Sequence, residues 1–336
     1  MLFRSQGSHI TALVRTHASG DEDAFYSVAL QIAAREARQG HHRLASDIKK
    51  AVESSRSTSR RTSLAEVTRM PRPQGDVADL VEVSHPRERL RDLVIAPGLA
   101  AQITQVIQEQ RQRAVLAQHG FVPMHRLLLE GPPGTGKTLT ASVIASELSL
   151  SMYTVRLDSI LSKFMGETAS KLRTVFEEVS AHRAVYLFDE FDALGGDRSG
   201  NDVGEARRIL NSFLVLLENS SAESIIIAAT NHRAILDRAL FRRFDAILTY
   251  SLPSSEQAQS VIRKRLGSLI EGVSLNGLTS FTEGLSHADI VKAAESAAKN
   301  ALMRGDPTAT RADLEAALSI RRSEVEIGRA SCRERV

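Results

Sequence analysis

The segment that most narrows the fold is Gly131-Pro132-Pro133-Gly134-Thr135-Gly136-Lys137-Thr138, set between the apolar run Leu127-Leu128-Leu129 and a helix-forming stretch that begins with Leu139. Glycines and prolines at this density break both strand and helix, so the chain must turn tightly between two regular elements. The spacing G-x-x-x-x-G-K-[ST] adds chemistry to the turn. Successive backbone N–H groups point inward at an anion, with the positive end of the following helix behind them. A loop of this kind sits at the carboxyl edge of a parallel sheet, which calls for an α/β chain. The alternative, a glycine-rich surface turn, does not explain why strand, loop and helix follow in this order. In this reading Gly131, Pro132, Pro133, Gly134, Thr135, Gly136, Lys137, Thr138 and Leu139 form the binding loop and its exit. Lys137 bridges the β- and γ-phosphates, and the Thr138 hydroxyl ligates Mg2+.

The rest of the chain is patterned to supply such a sheet. Apolar stretches at 152–157, 184–188, 225–229 and 246–250 alternate with helical patterns at 169–179 and 204–218, which predicts parallel strands with helices on both faces. With aromatics at 4% and no Trp, the core must be mainly aliphatic, as buried parallel strands are. From residue 254 onward strand patterns cease and helical ones dominate, at 255–270, 287–303 and 311–320, predicting a small all-α lid. Before the sheet, residues 21–54 read as two amphipathic helices interrupted at Gly40. Residues 54–63 and 69–75 are polar, basic and punctuated by Pro and Gly, as linkers are. The expected organisation is an N-terminal helical module with its linker at 1–75, a large α/β nucleotide-binding part at 76–253 and a helical lid at 254–325. Residues 326–336 resemble the translation of a common sequencing-adapter oligonucleotide, so the native chain is expected to end near Val325.

Tyr186-Leu187-Phe188-Asp189-Glu190 is an apolar strand ending in two carboxylates. Asp189 suits a Mg2+ ligand and Glu190 a group that polarises the attacking water. Helix-capping carboxylates are the alternative for such a pair standing alone. Residues 225–229 lead to Thr230 and Asn231, a second strand ending on polar side chains. Asn231 is placed to orient water or the γ-phosphate, or else is a turn residue. Arg242 and Arg243 precede the next strand, where an arginine could reach a neighbouring subunit's phosphate. Together these segments point to ATP hydrolysis.

The order and wording of these segments resemble the AAA branch of the AAA+ ATPases, over about residues 92–320. Arg243-Phe244-Asp245 is similar to the family's finger-bearing R-F-D, which implies Arg243 as the finger, with Arg242 as the alternative. A second arginine common three residues later is Ala246 here, so a two-finger scheme is not implied. Ser162-Lys163-Phe164-Met165-Gly166-Glu167 resembles the central-pore loop, implying that Phe164, Met165 and Gly166 grip a polypeptide. An ordinary core aromatic is the competing reading of Phe164. A second pore loop is expected within 195–204. The segment 92–95 corresponds to the stretch that covers adenine, implicating Val94 and Ile95, although Ile95 stands where Gly is common. Gly284-Leu285-Ser286-His287-Ala288-Asp289 resembles the lid segment near the adenosine, with His287 in place of Gly; nucleotide contact and a capping or solvated role are equally open for it.

The resemblance implies a homo-oligomer, a hexamer, that uses ATP and Mg2+ to remodel or unfold a polypeptide through a central pore. A second reading is an ATP-dependent switch or scaffold acting on a separately encoded effector such as a protease. A nucleic-acid remodeller ranks third. Its only support is a basic first part: residues 1–80 hold 12 Lys+Arg against 9 Asp+Glu, and the remainder 31 of each. Without interleaved aromatics a solvated linker explains those charges, so a nucleic-acid partner is not expected. The chain as given contains no H-E-x-x-H zinc-protease segment. A single Cys and the absence of any apolar run near ~18 residues predict a cytoplasmic protein without a membrane span.

Overall fold

The computed structural model describes residues 77–160, 165–194, 203–231 and 238–333, with isolated positions between 32 and 50. Met1–Arg72 and Pro73–Val336 form separate compact units. The expected N-terminal helices, apart from those positions, and the basic linker lie outside the described residues, and the following concerns the second unit.

A short strand β1 (Val81–Ser84) precedes helices α1 (Pro97–Arg111) and α2 (Arg113–Gln118). Strands and helices then alternate: β2 (Arg126–Glu130), α3 (Lys137–Glu147), β3 (Met152–Val155), α4 (Leu157–Ile160), α5 (Met165–Ala181) and β4 (Val185–Phe188). They continue through α6 (Val203–Glu218), β5 (Ile225–Thr230), α7 (Arg238–Phe241) and β6 (Ala246–Thr249). The strands form one sheet in the order β1-β3-β4-β5-β2-β6. All pairings from β3 to β6 are parallel, as the alternating pattern requires. β1 is the exception, an antiparallel edge strand on β3. The expectation of parallel strands alone missed it because Val81-Glu82-Val83-Ser84, at four residues, is too short for its alternation to stand out.

Successive residues of a strand face opposite sides of a sheet, and the core divides accordingly. Leu128, Tyr186, Phe188 and Ile226 pack on α5 and α6 through Leu172, Phe176 and Phe213. Leu127, Leu129, Leu187 and Ile227 pack on α1 and α3 through Ile103, Val106 and Ile144. The few aromatics are concentrated behind β4. Phe213 meets Phe176, Phe188 and Phe191 at centroid distances of 5.5, 5.1 and 4.7 Å, within the range of favourable ring pairs. This cluster fixes the end of β4, from which the two carboxylates emerge.

After the sheet come α8 (Ser255–Leu266), α9 (Thr279–Thr282), α10 (His287–Met303) and α11 (Arg311–Arg333). They enclose a separate core built on Ile262, Ile290, Ala294, Ala297, Leu314 and Leu318. α8 and α10 both begin with capping boxes, Ser254 with Gln257 and Ser286 with Asp289, which set where these helices start. α11 is longer than its periodicity at 311–320 suggests. It runs on through Val325 to Arg333, with Arg322 paired to Glu326. Among the described residues no helix is long and apolar enough to cross a membrane.

Candidate nucleotide-binding and hydrolysis site

The loop after β2 is bent by residues that need glycine. Gly131 has φ 146°, and a Cβ there would lie 2.4 Å from the Tyr250 carbonyl oxygen. Gly134 has φ 73°, and its Cβ would lie 2.5 Å from Ser286 Oγ. The loop is thus held between the end of β6 and the start of the lid helix α10, and the Ala288 N–H donates to the Gly134 carbonyl at 3.0 Å. The Thr135 hydroxyl donates to the Pro132 carbonyl at 2.8 Å, bracing the curl. Lys137 Nζ donates to the carbonyls of Gly131 (2.7 Å) and Pro132 (2.9 Å). Burial lowers the pKa of this ammonium, and the nearby carboxylates of Asp189 and Asp192 offset part of that effect.

β4 delivers its carboxylates to the same edge. The Thr138 hydroxyl donates to Asp189 Oδ2 at 2.7 Å, so the two residues intended for one cation already share one position. Glu190 takes a left-handed conformation, φ 50°, while its N–H donates to Asp189 Oδ1 at 2.9 Å. A non-glycine residue in that region is strained and held by its surroundings; the Glu190 side chain is exposed. Among the described residues no group of three or more His, Cys, Asp or Glu could hold a metal ion. The donor set of Thr138 and Asp189 fits Mg2+, which usually keeps several waters and binds one or two protein oxygens together with substrate phosphates.

Asp192 belongs to the site and escaped the sequence reading. Its Oδ1 accepts from Thr230 Oγ1 (3.1 Å) and from the Asn231 N–H (3.3 Å), tying the end of β4 to the end of β5. The signal available was a third carboxylate in Asp189-Glu190-Phe191-Asp192. Its partner became apparent only from the sheet order, which sets β4 beside β5.

Beside the loop a cavity of about 570 Å³ is lined by Val94, Ile95, Leu139, Val261, His287 and Val291, with Thr135 and Gly136 at its phosphate-loop end. Val94 packs against the lid core and Ile95 against the sheet core. The segment carrying both residues therefore bridges the two layers. Lys264 of α8 fastens it, donating to the carbonyls of Arg91 and Leu93.

Arg243 lies elsewhere. β2 and β6 run parallel with Leu127 opposite Ala246 and Glu130 opposite Thr249, so the loop leaves one end of this pair and Arg243 enters at the other. Its guanidinium is paired with Glu218 at the end of α6. The turn is pinned by Asp245, whose carboxylate accepts from the backbone N–H groups of His125 and Arg126 and from the Arg126 side chain. Burial pushes the Asp245 carboxyl up, but these hydrogen bonds and that of the His125 ring outweigh it and hold the group well below the usual carboxylate range. The basic pair directly precedes β6. Phe164 and residues 195–202 lie outside the described residues; Met165 and Gly166 open α5.

Comparison with known proteins fits this geometry. The profile described as "ATPase family associated with various cellular activities (AAA)" matches residues 127–252. The uncharacterized AAA family ATPase y4kL of Sinorhizobium fredii is 31% identical over 281 residues, 83% of this chain and 85% of that protein. The chain belongs to the AAA family of ATPases. Membership carries ATP hydrolysis with it, and the parallel sheet, phosphate loop and helical lid are arranged for it. The meiotic spindle formation protein mei-1 of Caenorhabditis elegans is 36% identical over 60% of the chain, and the ATP-dependent zinc metalloprotease FtsH of Acidothermus cellulolyticus 32% identical over 68%. The matches span only 45% and 36% of those two proteins. The crystal structure of the FIGL-1 AAA domain superposes with a TM-score of 0.60 at 24% identity, covering 76% of this chain and 92% of that one, a likeness of fold.

Proposed function

We propose that this AAA ATPase works as a ring, typically a hexamer in its family, in which each ATP site is completed by Arg243 of a neighbouring subunit and hydrolysis drives remodelling or unfolding of a polypeptide through the central pore. The observation that carries the reading is the position of Arg243 at the far end of the β2–β6 pair from its own phosphate loop. An arginine of this kind has work to do only at another copy's site. A heterologous contact repeated around a closed ring supplies that arrangement.

In this reading the chain's own residues divide the chemistry. The backbone N–H groups of the loop and the Lys137 ammonium, released from the Gly131 and Pro132 carbonyls, bind the β- and γ-phosphates. Thr138 and Asp189 would hold Mg2+, which when bound neutralises phosphate charge. The Glu190 carboxylate accepts a proton from the attacking water, and Asn231, positioned through Asp192, orients that water. The neighbour's Arg243 leaves Glu218 and stabilises charge on the phosphoryl group in flight. Because Gly134 is hydrogen-bonded to the start of α10, a change in what the loop holds is passed to the lid. Rotation of the lid against the sheet would move the pore segment at Phe164, Met165 and Gly166.

ATP turnover measured against protein concentration tests the ring. Specific activity should rise cooperatively and collapse in Arg243→Ala; activity independent of both would leave a solitary ATPase. The switch or scaffold reading is separated by Phe164→Ala, which should abolish polypeptide remodelling while sparing most of the ATPase if the pore grips substrate. The matching relatives bear on this choice only by name, one being an ATP-dependent zinc metalloprotease and one a meiotic spindle formation protein.

A further inference from the structure

Tyr250 is the first residue beyond β6, where the sheet hands the chain on toward the lid, and it takes no part in the division of chemistry given above. Its contacts reach both ends of the phosphate loop. On the entry side its N–H donates to the Glu130 carbonyl at 2.8 Å, and its own carbonyl stands where a side chain on Gly131 would have to go. On the exit side its hydroxyl lies 2.7 Å from Thr140 Oγ1, in the first turn of α3. Both side chains are buried, Tyr250 at 4% exposure and Thr140 at 0%.

The direction of that hydrogen bond follows from the next one. A hydroxyl carries a single hydrogen, and Thr140 donates its own to the Gly136 carbonyl at 3.0 Å. The Tyr250 hydroxyl is therefore the donor to Thr140. Burial pushes the phenol's pKa up, against the opposing pull of the Thr140 hydrogen bond, so this donor keeps its proton at neutral pH. The Gly136 carbonyl also accepts from the Thr140 N–H at 2.9 Å and is thus held toward α3 by two hydrogens.

The peptide plane carries this arrangement to the ligand. In a trans peptide the C=O of one residue and the N–H of the next point in opposite directions. With the Gly136 carbonyl fixed toward α3, the Lys137 N–H points out of the amino end of the helix. There it has no partner within the helix and faces an incoming anion. Gly136 is a residue whose plane needs fixing: its φ is 101°, and no neighbouring atom lies within 4 Å of where a Cβ would stand. Hydrogen bonds, not packing on that side, hold it.

We propose that Tyr250 is a positioning residue for ATP, which through Thr140 fixes the Gly136–Lys137 peptide so that the Lys137 N–H is aimed at the phosphates before nucleotide arrives. The inference rests on the reading of residues 131–138 as the phosphate loop. Preorganisation of this kind acts on binding, in ground state and transition state alike, and so raises KM without lowering kcat when it is lost.

The test is ADP binding by calorimetry, steady-state ATP turnover and urea unfolding, in the full chain and in Tyr250→Phe, Thr140→Val, Thr140→Ser and the double variant Tyr250→Phe with Thr140→Val. Tyr250→Phe keeps the ring and removes the donor. It should weaken ADP and raise KM for ATP about three- to tenfold, the range of one hydrogen bond, with kcat within about twofold of the intact chain. Thr140→Val breaks both links and should weaken ADP at least as much; the double variant should lose no more than Thr140→Val alone, because the two residues act in series. Thr140→Ser keeps the hydroxyl and should bind as the intact chain does. A lowered unfolding midpoint with ADP affinity and KM unchanged in Tyr250→Phe would overturn the proposal, as would single-variant losses that multiply in the double. Should Thr140→Val fail to fold, the contrast between Tyr250→Phe and Thr140→Ser decides alone. If Lys137→Ala binds ADP as tightly as the intact chain, the phosphate-loop reading itself is refuted and this proposal goes with it.

Discussion

The separation between Arg243 and its own phosphate loop can be turned into a quantitative experiment. The paired stretch from Ala246 to Thr249 spans about 10 Å at ~3.3 Å per residue, and the turns at both ends add to it. An arginine anchored below one end cannot serve a phosphate above the other. Lys137→Ala should therefore destroy a subunit's own site and leave its arginine usable, whereas Arg243→Ala should do the reverse. Each variant alone should lose about a thousandfold or more in turnover, the scale of a missing arginine finger. In a co-expressed random mixture, a working site forms wherever an intact loop on an Arg243→Ala subunit meets the intact arginine of a Lys137→Ala neighbour. With x the fraction of one variant, activity should follow x(1 − x) and peak at equal proportions, at roughly a quarter of wild-type turnover per chain for sites that act independently. Phosphate release, measured at concentrations where the wild-type rate has levelled off, reads this directly. A mixture no more active than its separate components, or an Arg243→Ala variant as active as wild type, would refute the argument from sheet geometry.

Other perturbations follow from single contacts. Glu190→Gln should keep nucleotide binding and lose at least about a hundredfold in turnover, the value of a general base, seen by comparing equilibrium binding with single-turnover phosphate release. Gly134→Ala imposes a side chain at φ 73° against Ser286; the backbone term alone, about 1–2 kcal/mol, should weaken nucleotide affinity roughly 5- to 30-fold by calorimetry. Asp245 has a depressed pKa in the folded chain, so its contribution to stability is present above the ordinary carboxylate value near about 4 and is lost as pH falls toward the depressed one. Urea unfolding across the acid range should show that decline, with Asp245→Asn flattening it. Phe213→Ala empties the centre of the aromatic cluster behind β4 and should cost about 3–5 kcal/mol, read as a drop in the unfolding midpoint.

Which parts of this molecule could be read from sequence follows from where their causes lie. The phosphate loop is legible because its conformation is imposed locally: Gly131 and Gly134 take backbone angles that other residues resist, between an apolar strand and a helix. The central strands are legible because burial on both faces makes them continuously apolar. β1 is not, since an edge strand four residues long carries little pattern of its own and gains its identity from β3. Asp192 was hidden for a different reason. Its partners, Thr230 and Asn231, are some forty residues away, and only the insertion of β5 between β4 and β2 brings them together.

Arg243 shows the limit most clearly. Nothing in Arg242-Arg243-Phe244-Asp245 says which end of the sheet it occupies, and the same four residues after β6, instead of before it, would have placed a guanidinium beside the subunit's own phosphates. The parallel register of β2 and β6 decides the matter, together with Asp245, which clamps the turn to His125 and Arg126 at the amino end. The Glu218 partner has the same origin, because α6 runs back across the sheet and ends where β6 begins. A neighbour's phosphate must compete with that carboxylate for the guanidinium. Removing the competitor, as in Glu218→Gln, should therefore lower the protein concentration at which turnover becomes half-maximal; an unchanged concentration dependence would mean that the pair does not restrain the arginine.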